Sequence, residues 1–143
     1  MALKRSTLSR DVDTYCRDVV RIAGAATAIA MRADPQVPRD TGEMARQTAT
    51  GPAPRKSGTR TTIKLRNPHP RAAWTDKGTG PHTIVPRRRG GVLVFHWPKA
   101  GGTVFLRRVH HPGSTIHVGW FEERAAHHWP EMLRRAVQAL GTR

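Results

Sequence analysis

The chain has 143 residues, enough for one domain with a real core, and it carries 25 Lys and Arg against 10 Asp and Glu. The formal net charge is therefore +15, and only 37% of the residues are hydrophobic. No apolar run reaches the roughly 18 residues of a membrane-spanning helix, and no apolar stretch follows the basic N-terminus as in a signal peptide. This composition excludes a membrane protein, argues against a self-sufficient enzyme and indicates an acidic or polyanionic partner.

The positive charge is concentrated in the middle of the chain. Residues 51–109 carry 13 basic residues and a single acid, Asp76, a balance of +12, whereas 1–50 and 110–143 carry only +2 and +1. Because 20 of the 25 basic residues are Arg, bidentate contacts with phosphate or carboxylate groups are favoured over point-charge contacts. The asymmetry indicates that one segment, rather than the whole surface, meets the anionic partner.

The first 50 residues are predicted to be mainly helical. Apolar residues recur at spacings of three and four over 8–29, which predicts an amphipathic helix that ends at the Asp-Pro pair 34–35. Asp40 or Thr41 is expected to cap a short second helix. The Gly-, Pro- and Ser-rich segment 51–59 then predicts a mobile loop.

Beyond this loop the hydrophobic period changes from helical to two, which predicts strands. The clearest hairpin pairs residues 92–97 with 103–109 across a Gly-containing loop. Its aromatic side chains, Phe95, Trp97 and Phe105, fit a core at period two better than base stacking.

The C-terminal residues again have helical spacing. Apolar side chains from Trp120 to Leu140 predict a helix, in which Pro130 predicts a break or kink near His128 and Trp129. The predicted fold class is α+β: an N-terminal helix, an antiparallel β-meander or small sandwich of about four to five strands, and a C-terminal helix. One domain over 1–143 is expected, with a helical part over 1–50, a loop over 51–59, a β region over 60–117 and a helix over 118–140.

Patterns typical of catalysis or metal binding are not found in the sequence. The eight histidines lack the spacing of a zinc site, and the lone Cys16 permits neither a disulfide within the chain nor a cysteine-based zinc site. The basic middle lacks the clustered carboxylates of a magnesium-dependent nuclease, and no nucleophile or P-loop motif occurs. We therefore expect no enzymatic activity, no metal and no cofactor.

Two groups of arginine are the candidate anion contacts. One projects from a turn that ends in Gly, and the other ends a strand of the hairpin. Contacts of this kind, with phosphate or with carboxylate, carry no sequence information, and a solvated or acid-pairing loop is an equal alternative for the first group. The candidates for anion contact are Arg87, Arg88, Arg89, Arg107 and Arg108, and those for packing or subunit contact are Trp97, Trp120 and Trp129.

Three motifs occur in a fixed order along the chain. Residues 37–44, Val-Pro-Arg-Asp-Thr-Gly-Glu-Met, are similar to a Val-Pro-x-Asp-Thr-Gly-x-Leu signature that follows an N-terminal helix. Residues 72–79, Ala-Ala-Trp-Thr-Asp-Lys-Gly-Thr, are similar to Ala-x-Tyr-x-Glu-x-Gly-Thr, and residues 109–114 contain a His-Pro-Gly turn before the last helix. Together they resemble a family of minor tail components of long-tailed bacteriophages, also described as neck or tail-completion proteins. The chain departs from the family pattern at Trp74, at Asp76 and over 116–121.

The resemblance implies a virion structural protein of the head-tail joint. It implies a homo-oligomeric ring, six-fold or twelve-fold, around the DNA passage, with the portal-side connector and the tail terminator or tail tube as partners and double-stranded DNA in the channel. It also implies assembly in the host cytoplasm and localisation in the virion. The level of the neck, and whether the basic loops meet DNA or acidic protein, stay open. The motif positions expected to be structural are Asp40, Thr41, Gly42, Gly78, Thr79, His111, Pro112 and Gly113.

A different class also fits the charge. A small basic module that binds nucleic acid without sequence preference would have the same arginine-rich middle and no catalytic groups. Salt-dependent binding of arbitrary duplex DNA by a monomer separates this alternative from the ring.

Overall fold

A computed structural model describes residues 5–38 and 42–141, so the expected caps Asp40 and Thr41 lie outside the described residues. Two long helices stand at the ends of the described chain, and two short helices and a 3-10 turn lie between them. No described helix is long and apolar enough to span a membrane. The helices are α1 (Arg5–Ala33), α2 (Glu43–Arg46), α3 (Ala72–Lys77) and α4 (Trp120–Gly141), and the 3-10 turn is Pro98–Ala100.

The strands of the described residues are short and form four antiparallel pairs. A helix at each end with antiparallel strands between them confirms the predicted α+β class. The pairs are β1 with β4, β2 with β3, β5 with β8, and β6 with β7. The strands are β1 (Ala49–Thr50), β2 (Arg55–Ser57), β3 (Arg60–Thr62), β4 (Leu65–Arg66), β5 (His82–Ile84), β6 (Leu93–Trp97), β7 (Gly102–Leu106) and β8 (Val109–His111).

The two long helices pack antiparallel against each other. Val19 and Ala23 of α1 cluster with Ala136 near the end of α4, whereas Met31 clusters with Trp120 at the start of α4. Small side chains on α1 permit close neighbours: a Cβ on Gly24 would lie 2.8 Å from Cγ2 of Ile63. The amphipathic pattern of α1 is therefore satisfied by α4 and by the strand segment that carries Ile63.

A second core cluster joins the remaining parts of the body. Met31, Val37, Ala45, Ala72 and Trp120 are each at most 5% exposed and contact one another. They come from α1, the turn after it, α2, α3 and α4. We call the part built by these elements and by β1–β4 the body, which comprises the described residues outside 82–111.

Two expectations about the body are wrong. The segment 51–59, predicted as a loop, contains β2, because Gly58 at φ 59° turns the chain so that β2 pairs with β3. An ion pair from Lys56 to Asp13 ties this hairpin to α1. Of the break or kink predicted near Pro130, the break does not occur: α4 continues through the proline, and Trp129 and Leu133 on either side pack against α1.

Residues 82–111 form a long two-stranded ribbon. Its inner half is the pair β5–β8, and its outer half, residues 93–106, is the hairpin of β6 and β7 that lies between these strands in the sequence. The outer half contacts mainly itself. The predicted hairpin is present, but the prediction that its aromatics form a core is wrong. Phe95, Trp97 and Phe105 are 36%, 44% and 66% exposed, because no third described strand joins this pair.

Candidate functional site: the ribbon, its waist and its base

Two of the three motifs meet at the base of the ribbon. Thr79 and Ser114 form an isolated antiparallel bridge in which each backbone N–H donates to the other residue's carbonyl at 2.9 Å. A Cβ on Gly113 (φ 91°) would lie 2.2 Å from the Thr79 carbonyl oxygen. A Cβ on Gly78 (φ 74°) would lie 2.6 Å from the Ser114 carbonyl oxygen. Glycine is required at both positions by its positive φ and by the close backbone approach.

The neighbouring motif residues also act through backbone contacts. Nδ1 of His111 accepts the N–H of Gly113 at 3.0 Å, and its ring lies 5.1 Å from that of His82 across the β5–β8 pair. In the first motif, Gly42 precedes α2 with φ 76°. Pro112 is exposed in the turn between the two contact points. The described motif positions therefore shape the turns of the chain.

Asp76 connects the base of the ribbon to α4. Its Oδ1 accepts the N–H of Phe121 at 3.0 Å, and its carbonyl accepts the N–H of Gly119 at 2.7 Å. The only acid of the basic middle therefore caps the first turn of α4, where the helix dipole favours a negative charge. Sequence reasoning missed this role, because no local pattern indicates a cap supplied from 45 residues away.

The two predicted arginine groups lie on the same stretch of the ribbon. Ile84 pairs with Val109 and Leu93 pairs with Leu106, so the eight residues 85–92 lie opposite the two residues 107–108. We call these two opposing segments, 85–92 and 107–108, the waist, and they contain all the arginines of the ribbon. All five arginines there are exposed, and the loop is closed by a hydrogen bond from the Gly91 N–H to the Arg88 carbonyl at 3.0 Å.

The waist has no counter-charge among the described residues. The ribbon carries six basic residues and no acid. None of its five waist arginines forms an ion pair within the part of the chain that the structure describes. The described body, in contrast, contains ion-paired carboxylates, among them Asp13, Asp18, Asp34, Glu123 and Glu131.

The three candidate tryptophans have different environments. Trp120 is 4% exposed in the core, and Trp129 packs beside Val19 and Ala136. Trp97 is exposed at the outer end of the ribbon, with its ring 6.4 Å from that of Phe95. Of the three, Trp97 is the one that is exposed, whereas Trp129 is partly buried.

Further apolar side chains are exposed on the body near the ribbon base. Trp74 on α3 is 64% exposed, Ile116 83% and Val118 52%. Val118 lies beside Gly78, since a Cβ there would be 3.0 Å from Val118 Cγ2. Sequence reasoning did not single these residues out as a surface, and the apolar periodicity of a short helix and a turn gives no signal of exposure.

A buried carboxylate in the body joins the end of α1 to α4. Oδ2 of Asp34 lies 2.8 Å from Nε2 of His128 and 3.9 Å from Nη1 of Arg124, and Oδ1 accepts the N–H of Gln36 at 2.8 Å. Burial acts to raise the pKa of Asp34, but these hydrogen bonds and the nearby charges outweigh it and hold the pKa below its ordinary value. This cluster acts as a clasp between helices.

The body also has a shallow groove of about 470 Å³ between β3 and α4. Its lining is mostly apolar, with Ile63, Leu65 and Trp129 on the floor and Arg60 and Glu122 as the charged groups. No cluster of three or more His, Cys, Asp or Glu that could hold a metal ion occurs in the described ranges 5–38 and 42–141.

Comparison with known proteins does not assign a family. No family model matches the chain, and neither the curated proteins nor the solved structures contain a significant match.

Proposed function

We propose that the chain is a structural subunit of the bacteriophage head-tail joint, a neck or tail-completion protein that assembles into a ring around the DNA passage. The observation that carries the proposal is the outer half of the ribbon, which is apolar and uncovered. Val94, Phe95, Trp97 and Phe105 are all at least 36% exposed on one hairpin. A subunit whose burial is completed by its neighbours has this kind of surface.

The physical argument rests on the marginal stability of such a hairpin. A two-stranded ribbon without a third strand or a helix against it is marginal in water. Covering a side chain the size of Phe105 stabilises by about 2 kcal/mol relative to leaving it exposed. Contact with a neighbouring subunit therefore gives the ribbon the stability that the body does not provide.

The motif geometry supports a structural role. Gly42, Gly78 and Gly113 have positive φ, and the bridge between Thr79 and Ser114 closes the base from which the ribbon leaves the body. Within the described residues, these motifs therefore include three glycine turns and one chain crossing, together with the short helix α3. Assembly, rather than catalysis, is the mechanism in which such positions act. Its partners would be further copies, the portal-side connector and the tail proteins, in the virion.

Assembly is tested by sedimentation velocity and negative-stain imaging of the purified chain over a range of concentrations. We expect the wild type to form a closed ring of six or twelve copies. A Val94→Ser, Phe105→Ser double variant should stay monomeric with unchanged helical circular dichroism, because it removes the paired apolar side chains from one face of the outer half. The matched control is Ile29→Ser, a residue 62% exposed on α1, which should still assemble.

Two results would contradict this proposal. One is a wild type that stays monomeric at every concentration, and the other is assembly of the ribbon variant equal to that of the wild type. The neighbouring reading frames give an independent test: portal and capsid frames upstream with a tail-tube frame downstream are expected, whereas metabolic neighbours would argue against the class.

A second candidate function is favoured by the unpaired arginines of the waist. A small nucleic-acid-binding module would bind arbitrary duplex DNA tightly as a monomer, with a steep dependence on salt. A ring subunit binds weakly until assembly places many copies around one duplex.

A further inference from the structure

We propose that the waist of the ribbon binds the phosphate backbone of duplex DNA without reading its sequence. The proposal concerns one site on one chain, and it does not require the ring. It assigns the five arginines to a single ligand, which the sequence alone does not do, because two of them are separated from the other three by a complete hairpin.

The strand register places the two arginine groups opposite each other. The pairs Ile84–Val109 and Leu93–Leu106 bracket both arginine groups, so Arg107 and Arg108 are each within two residues of a paired position. In the opposite loop, 85–92, every residue is at most four residues from Ile84 or Leu93, the nearest paired positions. A fully extended chain of four residues spans about 14 Å, so no Cα of the loop lies farther than that from a paired residue. The five arginines therefore leave the backbone from one stretch of the ribbon, between the two strand pairs.

The arginines of the waist have no counter-charge within the described residues. All five arginines are exposed and make no ion pair with a described carboxylate, whereas Arg21, Arg134 and Arg135 in the body do. Like charges held this close repel one another, and a dense polyanion removes that repulsion on binding. Duplex DNA carries about one negative charge per 1.7 Å of its axis, and guanidinium groups bind phosphate oxygens in a bidentate manner.

A second copy of the chain is a poorer ligand for the waist than a duplex. The ribbon of another copy carries the same six positive charges and no acid. In the described body, most carboxylates are ion-paired or, like Asp76, cap a helix, whereas Asp11 and Glu122 are exposed and form no ion pair among the described residues. These two separate carboxylates are fewer than the five arginines of the waist, while a duplex presents a continuous row of phosphates.

The composition of the ribbon indicates backbone contact rather than base readout. The outer half of the ribbon, which would enter a groove first, is apolar and has Lys99 as its only charge. Because base edges are read by hydrogen-bonding side chains, these apolar strands are not suited to reading a DNA sequence. They are better suited to contact with a protein surface. The arginines lie below it at the waist, so phosphates on the outside of the duplex are the groups that they meet.

The test compares two triple variants with the same net charge. The first is Arg87→Gln, Arg88→Gln, Arg89→Gln, at the waist. The second is Arg21→Gln, Arg134→Gln, Arg135→Gln, at positions paired with carboxylates in the body. Binding to a fluorescent mixed-sequence duplex is measured by anisotropy from about 50 to 200 mM salt, and circular dichroism checks that each variant is folded.

The salt dependence gives the expected result. The wild type should have a slope of log K against log salt of up to about −4.5, or −0.9 for each arginine on a phosphate, and the waist variant a slope smaller by up to about 2.7 units. The waist variant should bind at least about tenfold more weakly at low salt, and the control should stay within about twofold of the wild type. A second duplex of unrelated sequence should bind equally.

Three results would overturn the proposal. Equal loss of binding in both triple variants would show that net charge alone is responsible. If the wild type does not bind the duplex at low salt, duplex DNA is not the ligand of the waist. Binding of polyglutamate but not of the duplex, with the same dependence on the waist, would assign the site to an acidic protein. Each result leaves the ring proposal to be decided by its own sedimentation test.

Discussion

The body and the ribbon of this chain solve the same physical problems in opposite ways. In the body, buried side chains from α1, α2, α3 and α4 cover one another, and carboxylates are paired with nearby cations. In the ribbon, Phe105 and Trp97 are uncovered and five arginines have no described carboxylate partner. The comparison teaches that the body buries its apolar side chains within the chain, whereas the ribbon leaves its apolar and charged side chains exposed, as the proposed functions require.

The largest expected effect comes from the core of the body. Trp120→Ala removes a side chain that is 4% exposed and contacts several core elements, so we expect a loss of about 4 kcal/mol in the free energy of unfolding. Urea denaturation followed by circular dichroism measures it. A loss below about 1 kcal/mol would mean that this core does not hold the helices together.

The next effect is at the junction between the two regions. Gly113→Ala places a Cβ 2.2 Å from the Thr79 carbonyl at φ 91°, and we expect it to cost about 3 kcal/mol through strain and displaced backbone. Gly101→Ala is the matched control, because its φ is 73° but no atom lies within 4 Å of the added Cβ. The control should lose about 1 kcal/mol. Equal losses would show that conformational strain alone, without the bridge, decides the result.

A smaller, pH-dependent effect is expected at the clasp. Since the pKa of Asp34 is lower in the folded chain than its ordinary value of 3.8, its ionised form contributes stability above that value, and the contribution is lost as the pH falls through the folded pKa. Asp34→Asn should cost about 2 kcal/mol at neutral pH and flatten the acid limb of the stability curve. Denaturation at a series of pH values measures both.

The control for the clasp is Glu131→Gln. The pKa of Glu131 is also lowered, mainly by its hydrogen bond from Arg135, but this pair lies on the surface of α4 where solvent screens it. We expect its acid limb to resemble that of the wild type. An unchanged acid limb in Asp34→Asn would instead assign the acid sensitivity to other carboxylates.

The smallest effect on folding is expected in the ribbon. Phe105→Ala removes a ring that is 66% exposed, so the unfolding free energy of the monomer should change by less than about 0.5 kcal/mol. In the wild type, the backbone amides of the ribbon should also exchange with solvent faster than those of α1 and α4. A loss comparable to that of Trp120→Ala would abolish the distinction between body and ribbon.

Local patterns were sufficient for much of the fold. Hydrophobic spacing predicts α1, α4 and the hairpin of β6 and β7, because their periods reflect one buried face or a turn. The same period misassigned Phe95 and Phe105 to a core, since alternation shows that a side chain has a preferred face without showing what covers that face. The loop over 51–59 was misassigned because Gly58 serves a hairpin turn.

The candidate site was predictable only in pieces. Composition identifies the arginines of the waist, but their convergence depends on the register of two strand pairs, which is a long-range property. The cap that Asp76 provides for α4 and the clasp of Asp34 with His128 join residues far apart in the chain. No local propensity encodes such pairs.

The crossing at the base of the ribbon has a mechanical consequence. A pull on the ribbon reaches Thr79 and Ser114 through the chain, and two backbone hydrogen bonds hold these residues together. A few residues away, Asp76 holds Gly119 and Phe121 at the start of α4 through two more hydrogen bonds. Little slack chain lies between these two attachments. Load applied at the outer end is therefore passed to the first turn of α4, a 22-residue helix that packs against α1, so the ribbon is mechanically coupled to the core of the body.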